Sequence, residues 1–228
     1  MKIAVVQHEL RPAPAQDLEA LVIAVARAAS LGADLVILPD VAAVHDGPLG
    51  DELFRRTEED APGVVVWSAH RYGSDPGDGP LTLSVEAVGA ACALVGDDAM
   101  DHAALLACAA RRPGLLVLAP GAESELQAQA VLELAVALST SLASVVVVAE
   151  ADGAEPGEPG HGGSAIIHLG EVLAEATAGD DLLVADITTP LGPPEAPTAF
   201  PEVPTVLLQR IAAHHGRKVD VDYPADLD

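Results

Sequence analysis

The sequence predicts an α/β fold with parallel strands joined by helices, on three observations. Leu35 to Leu38 is an apolar run of strand length, bounded by Gly32 and Pro39. Ahead of it, Leu18, Leu21, Val22, Val25, Ala28 and Ala29 recur at three- and four-residue steps, one apolar helical face. Ile3 to Val6 supplies another buried strand before that helix, so the chain opens strand, helix, strand.

Each element can be placed in order. Asp17 is read as the N-cap of the first helix, and Gly32 stands where a left-handed C-cap is wanted. Asp40 falls just past the carboxyl end of the second strand, the edge at which open α/β sheets bind ligands. A turn cluster comes next at 45–48, then a short helix at 51–60 that brings charge rather than core, then a strand at 64–68. Beyond a turn-rich loop at 71–80 come two strands, 81–85 and 90–95, hinged near Gly89. Residues 101–110 and 126–142 carry helical patterns, alternating with strands at 115–118 and 145–149, the latter almost wholly β-branched. A Gly/Pro loop rich in acid occupies 151–163 and is read as a lid or a disordered loop. A hairpin at 163–173 and a closing strand at 182–187 complete this part of the chain. The rest divides off at residue 188: a proline-rich connector (190–204), a short helix (206–213) capped by Thr205, and an acidic tail from 218.

Composition narrows the function. Half of the 228 residues are apolar and only 2% are aromatic, so small aliphatic side chains fill the core. A net charge of −24 and a pI near 4.3 exclude nucleic acid and anionic membrane as partners, since phosphate neutralisation needs clustered Lys and Arg. Cys92 and Cys108 lie in apolar surroundings and form no disulfide framework. The sequence shows no basic-then-apolar leader and no run of about 20 apolar residues, so a cytoplasmic protein is expected.

The opening stretch, Gln7 at a strand end and Gly32-Ala33-Asp34-Leu35-Val36-Ile37-Leu38-Pro39, resembles the nitrilase or carbon–nitrogen hydrolase superfamily. The resemblance implies a four-layer α-β-β-α sandwich over residues 1–187, commonly dimerised through its helices. It also implies a glutamate, a lysine and a cysteine as the catalytic set. In that set the cysteine attacks, the carboxylate acts as base, and the lysine steadies the oxyanion. Here the glutamate's position is Asp40. The chain's two lysines are Lys2 and Lys218, so the shortened segment between Asp40 and Asp98 has none. Counting back from the strand at 115–118 puts Gly96 at the cysteine's position and Asp98 at the family's aspartate. Glu150 stands where the family has asparagine.

These positions predict a non-catalytic nitrilase-fold protein with a binding, scaffold or regulatory role. One alternative is a divergent carbon–nitrogen hydrolase that uses Cys92 or an activated water; another is an inactive subunit paired with an active homologue. Cys92 otherwise reads as a small buried hydrophobe. Asp97 and Asp98, with Asp40 and Glu150, form a candidate acidic pocket that would keep one carboxyl protonated or recruit a cation. Asp98 equally reads as an N-cap for the following helix. Nothing local supplies a cation, so aliphatic neighbours are expected to collapse over the gap at Gly96. The histidines at 8, 45, 70, 102, 161, 168, 214 and 215 have no metal-ligand spacing. Neither a cofactor nor a metal is expected. The expected partners are a second copy or a homologue, and possible small-molecule ligands.

Overall fold

The computed structural model describes residues 1–39, 41, 48–68, 81–85, 89–153, 161–188 and 200–214. Its elements are β1 (Lys2–Glu9), α1 (Pro14–Ser30), β2 (Leu35–Leu38), α2 (Pro48–Asp60), β3 (Val65–Ser68), β4 (Leu81–Val85) and β5 (Gly89–Val95). A 3-10 turn (Gly96–Ala99) leads to α3 (His102–Ala110), β6 (Leu115–Ala119), α4 (Glu125–Leu142), β7 (Val145–Val148) and β8 (Ala151–Asp152). The chain continues through β9 (Ala165–His168), β10 (Glu171–Glu175), β11 (Asp181–Asp186) and α5 (Thr205–His214).

Two sheets form. The first runs β11-β1-β2-β3, with the short β8 also on β1; the second runs β10-β9-β7-β6-β5-β4. Strands β1, β2 and β3 are parallel, as are β5, β6 and β7, and antiparallel strands close the sheets at β11, β4 and the β9–β10 hairpin.

Alternation along each strand assembles the layers. Ile3 and Val5 of β1 pack between the sheets with Leu115 and Val117 of β6 and Val145 and Val147 of β7. Their neighbours Ala4 and Val6 face α1 and α2, while Leu116, Leu118, Val146 and Val148 face α3, α4 and α5. Both faces of these strands are buried, which is why they read as unbroken apolar runs rather than alternating ones. Each fully buried Val, Leu or Ile contributes about 1.5–3 kcal/mol. The result is the expected α-β-β-α sandwich.

Several local expectations change. Helix α1 starts at Pro14 from Ala13, with no side-chain cap, so Asp17 lies inside the first turn and is not the N-cap. Its carboxylate is buried and turned back on the chain, where it accepts the Arg11 N–H at 2.9 Å. Gly32 does follow the helix end with φ +79° and donates to Ala29 O. Helix α2 brings core as well as charge: Leu53 is fully buried against α1. Asp98 is not a cap either. Asp101 caps α3, accepting the Ala104 N–H at 3.0 Å, because the intervening 3-10 turn delays the helix by several residues. The loop after β7 begins as a strand, β8, paired in parallel with His8 and Glu9. Helix α5 packs on α4 and buries Leu207 in the outer core. Among the described residues no helix is long and apolar enough to cross a membrane.

Candidate functional site

The carboxyl ends of β5, β6 and β7 lie side by side, and the chain leaving each carries a polar group. After β5 comes Gly96, with φ +56°, a left-handed conformation that glycine adopts without a Cβ clash. Among the described residues a Cβ built there meets no atom within 4 Å, so none of their aliphatics has collapsed over this position as expected. Asp97 and Asp98 come next, and burial together with the charges of Asp101 and Asp97 pushes the Asp98 carboxyl up.

After β7 comes Glu150, 2% exposed. Its two carboxyl oxygens each lie 3.3 Å from the Ala122 N–H, in the loop that follows β6. Burial pushes its pKa up to about 8, against the opposing pull of the Ala122 and Gly121 amides and of Arg210. With that shift the glutamate is mostly protonated at neutral pH.

A cation is present at this edge, supplied by a distant segment and not by the neighbouring chain. Arg210 enters from α5. Its Nη2 donates to Pro120 O at 3.1 Å, and its Nε lies 3.9 Å from both Asp97 Oδ1 and Glu123 Oε1. Arg210 Nη1 is buried without a hydrogen-bond partner; Trp67 Nε1, at the end of β3, is the other such atom among the described residues.

A buried polar chain links the two sheets nearby. Gln7, at the end of β1, accepts the Ser164 N–H at 3.1 Å and donates to the carbonyls of Thr177 and Gly179. Ser164 Oγ accepts the Glu150 N–H at 3.0 Å. Asp152 accepts from Gly162 N at 2.8 Å and from Gly179 N. On the other side of β1, His8 Nε2 lies 2.6 Å from Asp17 Oδ1. Among the described residues no group of three or more His, Cys, Asp or Glu could hold a metal ion.

No family model matches the chain, and no curated protein does. Solved structures do. The amidase from Nesterenkonia sp. AN1 superposes with a TM-score of 0.66 at 22% identity, over 95% of each chain. A cysteine mutant of it, described as an amidase from the nitrilase superfamily, superposes with a TM-score of 0.67 at 23% identity over 95% of this chain and 96% of that one. A Glu-to-Gln mutant, in which acrylamide has added to the active-site cysteine, gives 0.66 at 21% identity, over 95% and 98%. The fold is that of the nitrilase superfamily.

Within the nitrilase fold, the sequence-predicted positions separate. Asp97 and Glu150 both feel the charge of Arg210, and Gly96 is the chain neighbour of Asp97. Asp40 lies outside the described residues, as do the turn residues 45–47, the loop at 71–80, most of the connector and the tail. Cys92 is buried in mid-strand on the face turned to the helices, in the outer core with Cys108. A hydrogen bond to Cys92, with burial, pushes the Cys108 thiol up, a setting that suppresses thiolate.

Sequence reasoning missed Arg210, Ser164 and Asp152, and read Gln7 only as a strand end. The one available signal was Arg210 itself, a lone charge inside the apolar pattern Val206 to Ala213. Nothing local tells that it reaches back to Pro120, 90 residues earlier.

Proposed function

We propose that the protein is a nitrilase-fold member that binds a small molecule without running the thiolate chemistry of carbon–nitrogen hydrolysis. The observation that carries this reading is the pair of thiols. Cys92 and Cys108 are both buried on the helix-facing side of the second sheet, away from the strand end where Gly96 offers open space and no nucleophilic atom. The lack of a lysine between residues 3 and 217 supports it further. Asp40 would then act on no enzyme nucleophile. The acidic cluster, neutralised in part by protonated Glu150 and in part by Arg210, is suited to holding a ligand.

Two measurements test this. Amides, nitriles and N-carbamoyl amino acids should release no ammonia above a heat-killed control. Native protein incubated with acrylamide should keep its intact mass, whereas protein unfolded in denaturant should gain two adducts. Turnover lost on Cys92→Ala would establish the divergent hydrolase instead. Ammonia release only after mixing with an active homologue would establish the paired subunit.

A further inference from the structure

We propose that α5 completes the candidate site and that Arg210 there recognises the carboxylate of a small organic acid. This rests on the binding reading above. The guanidinium reaches the exits of two adjacent parallel strands: Asp97 after β5 and Pro120 after β6. Its charge also acts on Glu150, after β7. Its side chain is 13% exposed, so most of it is buried. Nε faces Asp97 and Glu123 beyond hydrogen-bond distance, Nη2 is satisfied by a carbonyl, and Nη1 is left as a buried donor without an acceptor. A buried donor left unmade is costly, so an oxygen ligand that meets it gains selectivity.

The planar fork of arginine matches a carboxylate better than a single carbonyl, which can accept from only one of its edges well. The neighbouring acids compete with a bound anion, Asp97 most directly, since it lies 3.9 Å from Nε and is 22% exposed. Glu150 is buried and accepts amide hydrogens rather than pairing with Arg210 directly, and Glu123 is largely exposed, where solvent screens it. Beside Asp97, the open space over Gly96 gives the acid's carbon chain somewhere to lie.

The test uses the full chain with butyrate, and with butyramide as its uncharged counterpart, by isothermal titration. Butyrate should bind saturably and at least tenfold more tightly than butyramide. Arg210→Gln should weaken butyrate at least tenfold and leave butyramide unchanged, with Arg210→Lys in between. Glu123→Gln removes a competing acid on an exposed side chain and should tighten butyrate severalfold; it keeps the test decisive where Arg210→Gln fails to fold. Equal butyrate affinity in the wild type and Arg210→Gln, no butyrate binding at all, or weaker binding in Glu123→Gln would overturn the proposal. A chain that binds butyrate as described and also hydrolyses amides would overturn the non-catalytic reading and leave this one standing.

Discussion

His8 Nε2 sits 2.6 Å from Asp17 Oδ1 with both side chains 2% exposed, and the ring's other nitrogen faces Asp180 Oδ1 at 3.4 Å. One imidazole thereby ties the end of β1 to α1 and to the turn before β11, and Arg11 closes the far side of Asp180. His8→Ala leaves the Asp17 carboxylate buried with only the Arg11 N–H as partner. Breaking a buried pair in this way should cost about 3–5 kcal/mol. Urea unfolding measures it. Glu19→Ala, which removes an exposed partner of Arg56, should leave the midpoint almost unmoved and serves as control.

Glu150 makes stability depend on pH. Its folded pKa of about 8 lies above the ordinary value of 4.5, so between those limits the native state holds a proton that the unfolded chain has released. Unfolding is then favoured as pH rises, and this contribution is full below pH 4.5 and lost through pH 8. The slope approaches about 1.4 kcal/mol per pH unit inside the window. Glu150→Gln stays neutral throughout. The difference in unfolding free energy, wild type minus variant, should fall steadily from about pH 5 to about pH 8. A flat difference would mean that the carboxyl is ionised in the folded protein.

Gly96 can be tested by substitution. A Cβ there meets no neighbour within 4 Å among the described residues, so the expected cost is conformational, about 1–2 kcal/mol for a left-handed non-glycine residue. Gly96→Ala and Gly96→Cys should therefore be destabilised equally. The new thiol should add acrylamide in the native protein, where Cys92 and Cys108 do not. A cysteine variant markedly less stable than the alanine variant would show a closed pocket, with the further overpacking cost of about 1–3 kcal/mol.

We also expect a dimer. Ile23 on α1, Leu106 on α3, Leu126 on α4 and Leu208 on α5 are exposed large aliphatics on the two helical layers. Sedimentation at physiological salt should show a particle of twice 23.1 kDa. With a net charge of −24 on each copy, the dimer should weaken at low ionic strength, where screening reaches about 30 Å instead of about 8 Å. A monomer at every salt concentration would reject it.

The layers were legible in the residues alone. A strand buried on both faces must be apolar at every position, and Leu35 to Leu38, Leu115 to Leu118 and Val145 to Val148 declare that locally, as do the helical repeats between them. The hairpin at 165–175 and the left-handed stop at Gly32 are equally local, set by turn chemistry and by glycine's freedom. Caps were less legible, because Asp17 and Asp98 are acids near helix starts whose side chains go elsewhere. At α3 the intervening 3-10 turn makes Asp101 the cap, and α1 has no side-chain cap at all. The absence of lysine from the interior of the chain, and the glycine that opens the turn after β5, could also be read directly. The surroundings of that turn could not. Arg210 meets Asp97 and Pro120, and Gln7 meets Ser164, across separations of 113, 90 and 157 residues. Such contacts arise from how the sheets stack and where α5 docks, and no local periodicity encodes them. The raised pKa of Glu150 has the same origin. It is set by desolvation, which exists only once β7, α4 and the loop after β6 have closed around one carboxyl.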